Sequence, residues 1–106
     1  MLSCQNKVKR PEALIEKQDF AAILSDLHLL ESAYMTGKEV PDSTREAYLR
    51  DYNIVFQIHH VDASVFFKNF AYYKDDPELM NEIYEMVNAR LQIMEDQMLI
   101  DVEGGH

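Results

Sequence analysis

The segment from Phe20 to Tyr34 constrains the fold of this chain more than any other stretch of the sequence. Its large apolar side chains recur at steps of three and four residues, which is the period of one face of an α-helix. At about 100° per residue, Phe20, Leu27 and Glu31 fall close to the centre of that face. The pattern therefore predicts a helix that buries one side and carries a carboxylate within its apolar stripe.

Glu31 makes this predicted helix unusual, because burying an unpaired carboxylate costs a large free energy. His28, three residues earlier, lies at the edge of the same face and is close enough to contact it. We expect Glu31 to accept a hydrogen bond from a tyrosine or histidine of another helix, with Tyr73 and His59 best placed to donate it. The sequence thus predicts a polar pocket formed by these four residues.

Two roles for this polar pocket stay open. In the first, it is structural and holds the register of the helices through hydrogen bonds. In the second, His28, Glu31 and His59 bind a small ligand or a metal ion, as three converging imidazole and carboxylate groups can. The Glu-x-x-His pattern of di-iron bundles is absent, since the order here is His-x-x-Glu. No nucleophile motif is present either, so the sequence predicts no catalytic residue, no resident metal or cofactor, and no enzyme.

Composition indicates the fold class. The chain has 106 residues and 47% hydrophobic content, which suits one domain with one core. It has 3 glycines and 3 prolines, and so few turn residues favour helices over many short strands. The prediction is an all-α fold, an irregular bundle of four helices with short connections.

Helix boundaries follow from periodicity and from capping residues. His60 falls where a helix end needs a left-handed residue, and Asp62 follows as a helix N-cap. Asp76 and Pro77 form a strong restart signal, as N-cap and first helical residue. The predicted helices span about Lys17–Met35, Thr44–His59, Ala63–Lys74 and Pro77 to residue 100. Residues 1–16 are then an N-terminal tether, 17–100 the helical domain and 101–106 a frayed tail.

Two aromatic pairs follow His60, namely Phe66-Phe67 and Tyr72-Tyr73. Neighbours on a helix point about 100° apart, so one member of each pair should be buried and the other more exposed. A small domain needs most of its aromatic side chains in the core, which favours a core role. The alternative is an aromatic groove for a peptide, which an exposed Phe67 and an exposed Tyr72 would support.

Charge limits the partners. The net charge is −9, and the last third of the chain is almost entirely acidic in its charged residues. Such a surface repels phosphate backbones, so we expect no nucleic-acid partner. No run of about 18 apolar residues is present, so the sequence predicts no membrane-spanning helix.

Cys4 is the only cysteine in the chain. It follows Leu2 and Ser3, and a hydrophobic and a small residue in these places are typical of the end of a bacterial lipobox. The basic and apolar segments of a signal peptide do not precede it. Two explanations stay open: the sequence starts late, with Cys4 as a lipidation site, or the three residues match by chance.

A set of short segments occurs in one order along nearly the whole chain. They are Leu2–Cys4, Pro11–Glu12, Ile23–Ala33, Tyr52–Phe56, Val61–Phe66, Tyr72–Tyr73 and Pro77–Tyr84, followed by Val87 and Leu91. In this combination the chain resembles a family of small Bacteroidetes lipoproteins catalogued only as a domain of unknown function. The resemblance implies a helical domain attached through a lipid on Cys4, and it implies no activity. His60 departs from the family pattern, because relatives tend to carry glycine or another small residue there.

Three function hypotheses follow. The first is a non-enzymatic, membrane-tethered interaction or structural domain on the extracytoplasmic, periplasmic side of a bacterial membrane, anchored through Cys4 and bound to a protein partner not identified by the sequence. The second is a small-ligand or metal-binding bundle that uses His28, Glu31 and His59. The third is a cytosolic acidic adaptor without an anchor.

Overall fold

A computed structural model describes residues 8–34 and 42–104, with side chains described for residues 8–34 and 45–97. The prediction of an all-α fold with four helices is confirmed, and the described residues contain no strand. The helices are α1 (Lys17–Tyr34), α2 (Asp42–Ile58), α3 (Ala63–Lys74) and α4 (Pro77–Gly104). The predicted starts of α1, α3 and α4 agree with these bounds. Helix α2 begins two residues before the predicted Thr44, and α4 continues past residue 100.

Helix α1 lies at the centre of the bundle, where it packs against both α2 and α4. Its first half is enclosed on several sides, because side chains that point in different directions from it are all buried. These buried residues of α1 are Phe20, Ala21, Ile23, Ser25 and Leu27. The hydroxyl of Ser25 donates to the carbonyl oxygen of Ala21 at 2.8 Å, so this buried polar group is satisfied within the helix.

Side-chain contacts define the direction of the neighbouring helices. Tyr34 bonds Asp51 while Asp26, two turns earlier in α1, bonds His59 beyond the end of α2. The two helices therefore run antiparallel, as short connections favour. Helix α4 also contacts α1, and Lys17 near the start of α1 pairs with Glu82 near the start of α4 at 2.8 Å.

The core connects the helices through aromatic rings. Phe20 of α1 stacks on Phe66 of α3 with 5.0 Å between ring centroids, and Phe66 contacts Phe56 of α2 at 5.1 Å. Phe20 also lies 5.0 Å from Tyr73. The buried side chains of α4 that complete this core are Met80, Ile83 and Val87. Burying such side chains is the main stabilising term for a domain of this size.

His60 and Asp76 act in the two short connections as the sequence predicts. His60 has a φ of 56°, which is the left-handed conformation expected there. The amide of His60 donates to Gln57 and that of Val61 to Phe56, which is the hydrogen-bond pattern of a Schellman motif. Before α4, the Asp76 carboxylate accepts the amides of Glu78 and Leu79, which confirms its role as N-cap. Asp62 occupies the N-cap position of α3, but its side chain makes no capping hydrogen bond.

The segment before α1 is held against α3 rather than extending away from the bundle. Asn69 is completely buried, and its side-chain oxygen accepts the amide of Ile15 at 2.8 Å. Its amide group donates to the carbonyl oxygens of Ala13 and Val65, both at 2.9 Å. The described part of the predicted tether is therefore attached to the helical domain, because one side chain satisfies the backbone of two of its residues.

Candidate functional site

Glu31 does not occupy the buried position that the wheel predicts. It is exposed, and it makes no hydrogen bond with any residue in the described part of the chain. Leu27 is the last buried residue of α1; after it, only Leu30 and Tyr34 are half-buried. Those two lie about 100° and 60° round the helix from Glu31, on the side that faces α2. The predicted hydrogen bond from Tyr73 or His59 to Glu31 is wrong, because in the last turns of α1 only the side of the helix toward α2 is covered.

His59 bonds Asp26, a residue to which the sequence pattern gives no role. Its Nε2 atom lies 2.7 Å from the Oδ2 atom of Asp26, with side-chain exposures of 19% and 31%. Asp26 lies about 140° round α1 from Glu31, so His59 and Glu31 lie on different sides of the helix. The pairing joins α1 to the end of α2, and the predicted grouping of His28, Glu31 and His59 does not form.

Within residues 8–34 and 45–97, no group of three or more histidine, cysteine, aspartate or glutamate side chains is arranged to hold a metal ion. The alternative of a metal site on His28, Glu31 and His59 therefore has no support in the geometry of the described chain.

Tyr73 is buried, and its hydroxyl donates to the backbone carbonyl of Ile15. Burial raises the pKa of this hydroxyl, and the nearby charge of Glu16 raises the same pKa further. Tyr73 thus acts with Asn69 to hold the segment before α1 on α3. Its prediction as a core aromatic is borne out, while its predicted contact with Glu31 is not.

His28 and Glu31 instead lie at the edge of a cleft to which all four helices contribute. The cleft has a volume of about 240 Å³. Helix α1 contributes Leu24, Leu27, His28 and Glu31, α2 contributes Tyr52, α3 contributes Phe66, Phe67 and Phe70, and α4 contributes Tyr84 and Val87. The walls are mostly aliphatic and aromatic, and Glu31 is the one carboxylate among these described lining residues.

Two aromatic rings in this cleft are about half exposed. Phe67 is 47% exposed and Tyr84 is 49% exposed, although both line the cleft beside buried residues of the core. Phe67 packs edge-on against Phe66 and Phe56, with ring centroids 5.2 and 6.1 Å apart. An exposed Phe67 would support the alternative prediction of an aromatic groove for a peptide, and Phe67 is exposed. Tyr72, the second residue named for that groove, is half-buried and lies outside the cleft lining.

The charge of Glu31 acts on the tyrosines of α2. Burial is the main factor that raises the pKa of Tyr48, and the negative charge of Glu31 raises it further. The pKa of Tyr52 is raised first by burial, then by Tyr48 and by Glu31. The carboxylate therefore projects a negative potential across the α2 side of the cleft, where the ring of Tyr52 forms part of the wall.

Only part of the cleft is predictable from the sequence. The sequence predictions include His28, Glu31 and Phe67, but they do not connect Tyr52 or Tyr84 with these residues. No periodicity signal could have found the Asp26–His59 pair, because Asp26 lies off the apolar face of α1. Cys4, the predicted lipidation site, lies outside the described residues. Among the described helices, none is both long and apolar enough to cross a bilayer.

Comparison with known proteins gives one match. Residues 11–97 match the model of a family described as "Domain of unknown function (DUF4296)". The matched range begins before α1 and includes the segment that Asn69 holds. No curated protein and no solved structure matches the chain.

Proposed function

We propose that this chain, which belongs to the DUF4296 family, is a non-enzymatic interaction domain, and we base this on the geometry of its four-helix cleft. The domain is part of a bacterial lipoprotein of the Bacteroidetes kind that the sequence resembles. A lipid on Cys4 tethers it to the extracytoplasmic, periplasmic face of a membrane, and a protein partner binds the cleft.

The observation that carries this proposal is the pair of half-exposed rings in one cleft. Phe67 and Tyr84 come from different helices and line the same concave surface. Aromatic side chains are enriched at the centres of protein interfaces, and a cleft with exposed rings can receive a side chain of a partner. The volume of 240 Å³ corresponds to roughly eight molecules of liquid water, which is room for one long side chain.

The attachment of the N-terminal segment indicates which end of the bundle a lipid on Cys4 would lie near. The amide of Val8 donates to the carboxylate of Asp75 at 3.1 Å, so the described chain starts beside the turn between α3 and α4. Cys4 precedes Val8 by four residues in the sequence. A lipid on Cys4 would hold this end of the bundle close to the membrane.

The tether is tested by fractionation of cells that express the full reading frame upstream of Met1. That frame should encode a basic start and an apolar run of about 7–15 residues. The protein should then partition into membranes, and Cys4→Ala should release it. An in-frame stop codon directly before Met1, or equal partition of the Cys4→Ala variant, would remove the tether from the proposal.

The interaction role is tested by site-specific photo-crosslinking in the same cells. A photoreactive phenylalanine analogue at position 67 or 84 should give the same discrete product, because both positions line one cleft. The matched controls are Ile58 and Ile93, which are 65% and 68% exposed and lie outside the cleft. Equal crosslinking from the control positions, or different products from positions 67 and 84, would argue against a partner in the cleft.

A further inference from the structure

The cleft combines an available carboxylate with aromatic walls. Glu31 has no hydrogen bond or ion pair with any described residue, and it is the one carboxylate of the described lining. The hydroxyls of Tyr52 and Tyr84 also have no hydrogen-bond partner in the described chain. These three groups can accept hydrogen bonds from a bound molecule.

The aromatic rings favour a particular class of occupant. The faces of phenylalanine and tyrosine rings carry negative potential and attract cations that lie within about 6 Å of the ring centroid. Phe67, Phe70, Tyr52 and Tyr84 supply such rings beside Glu31. An aliphatic group alone would fill the cleft without using the carboxylate, whereas a metal ion would need further ligands that the described residues do not provide.

We infer that the cleft of this domain binds an arginine side chain of its protein partner. Arginine fits because its planar guanidinium stacks on aromatic rings while its N–H groups reach a carboxylate. Its aliphatic stem can lie against Leu24 and Leu27, and its N–H groups can donate to Glu31. The net charge of −9 attracts a basic segment and speeds its encounter with the cleft. The inference rests on the proposed interaction role and names the chemistry of the partner.

The test uses the full 106-residue chain and synthetic peptides as probes. The first peptide is acetyl-Ala-Leu-Arg-Leu-Ala-amide, and the second carries citrulline, a neutral isostere, in place of arginine. Titration is followed by amide chemical shifts of the isotope-labelled protein. The arginine peptide should shift the signals of residues around the cleft, and the citrulline peptide should bind at least about fivefold more weakly, because it lacks the charge that Glu31 pairs with.

Variants separate the contribution of Glu31 from general attraction to an acidic protein. Glu31→Gln should weaken binding of the arginine peptide about fivefold, while Glu95→Gln, an exposed carboxylate outside the cleft, should leave it unchanged. Phe67→Leu keeps an apolar side chain and removes the ring, and it should weaken binding several-fold. Because both residues are exposed, neither substitution should prevent folding.

Three results would overturn the inference: no binding of the arginine peptide, equal binding of the citrulline peptide, or equal effects of the two glutamate variants. The interaction role is judged separately by crosslinking from positions 67 and 84. If that crosslinking stays selective while the arginine peptide fails, a partner binds the cleft through another chemistry. If both fail, the cleft is not an interaction site.

Discussion

The side-chain oxygen of Asn69 accepts the backbone amide of Ile15 at 2.8 Å, which joins the segment before α1 to the middle of α3. The same side chain donates to Ala13 and to Val65, so all its described hydrogen bonds go to backbone groups. Asn69 is completely buried, and a polar group in such a place is stable only when it is bonded. This residue therefore fixes where the chain enters the helical bundle.

We expect Asn69→Ala to destabilise the protein by about 1–3 kcal/mol, because backbone groups of Ala13 and Ile15 lose their partner. Asn69→Asp should cost at least as much, since it retains the acceptor but places a charge in the core. The measurement is urea denaturation of the variants. Hydrogen exchange should also increase at Ile15.

Asn81→Ala is the matched control, because Asn81 is an exposed residue within a helix. Its effect should stay within about 0.5 kcal/mol. Equal stability of the Asn69→Ala and Asn81→Ala variants would mean that the segment before α1 is not held by Asn69.

The Asp26–His59 contact should contribute more stability than the Lys17–Glu82 pair. Both have short contacts, at 2.7 and 2.8 Å, but the side chains of the first pair are 19–31% exposed and those of the second 36–51% exposed. Less water around a pair strengthens its interaction. Double-mutant cycles at neutral pH should give about 0.5–1 kcal/mol for Asp26–His59 and less for Lys17–Glu82. The reverse order would contradict this explanation.

His60→Gly should stabilise the protein by up to about 1 kcal/mol. His60 has a φ of 56°, a conformation that glycine adopts without steric cost. The greater freedom of glycine in the unfolded chain offsets part of this gain. His60→Val should destabilise, since a β-branched residue tolerates positive φ poorly. Thermal unfolding checks the order Gly, His, Val, and a less stable glycine variant would refute the prediction.

Alkaline pH should weaken the fold through the tyrosines of α2. An unperturbed tyrosine has a pKa of about 10. Burial, with a contribution from Glu31, raises the pKa values of Tyr48 and Tyr52 in the folded state. A raised folded pKa means that the stabilisation is complete below about pH 10 and is lost as pH rises through the folded values. Urea denaturation at about pH 8 and at about pH 11 should therefore show a fall in the free energy of unfolding.

Glu31→Gln should lower the pKa values of Tyr48 and Tyr52, because it removes one of the charges that raise them. The decrease should be partial, since burial is the largest cause for both residues. Ring-carbon NMR signals followed from about pH 8 to about pH 12 measure these values. Glu95→Gln is the control and should leave both titrations unchanged; unchanged titrations in Glu31→Gln would place its charge too far away to act.

Local signals in the sequence predicted most of the secondary structure. Asp76 and Pro77 marked the start of α4, and their capping geometry depends only on residues within one turn. His60 was recognised as a left-handed residue because the hydrophobic periodicity of α2 ends just before it. The sequence predicts one buried ring in each of the pairs Phe66-Phe67 and Tyr72-Tyr73, and Phe66 and Tyr73 are the buried members.

The position of Glu31 shows why the site could not be predicted in the same way. A helical wheel assigns one contact face to a whole helix, but the covered face of α1 changes along its length. The helix is enclosed around Ile23, whereas at Tyr34 only the side toward α2 is covered. Which face is covered depends on where the neighbouring helices begin, end and cross, and no local pattern contains that information. The wheel therefore identified the residues at the cleft edge but not their exposure.

By itself, the sequence determined four helices, their approximate ends and most of the aromatic core, because propensity, capping and periodicity act over a few residues. Only the tertiary structure decided that Asn69 holds the segment before α1, that Asp26 pairs with His59, and that Phe67 and Tyr84 share a cleft with Glu31. Each of these contacts joins residues that are distant in the chain. They exist because packing of the bundle brings particular side chains together once the helices have formed.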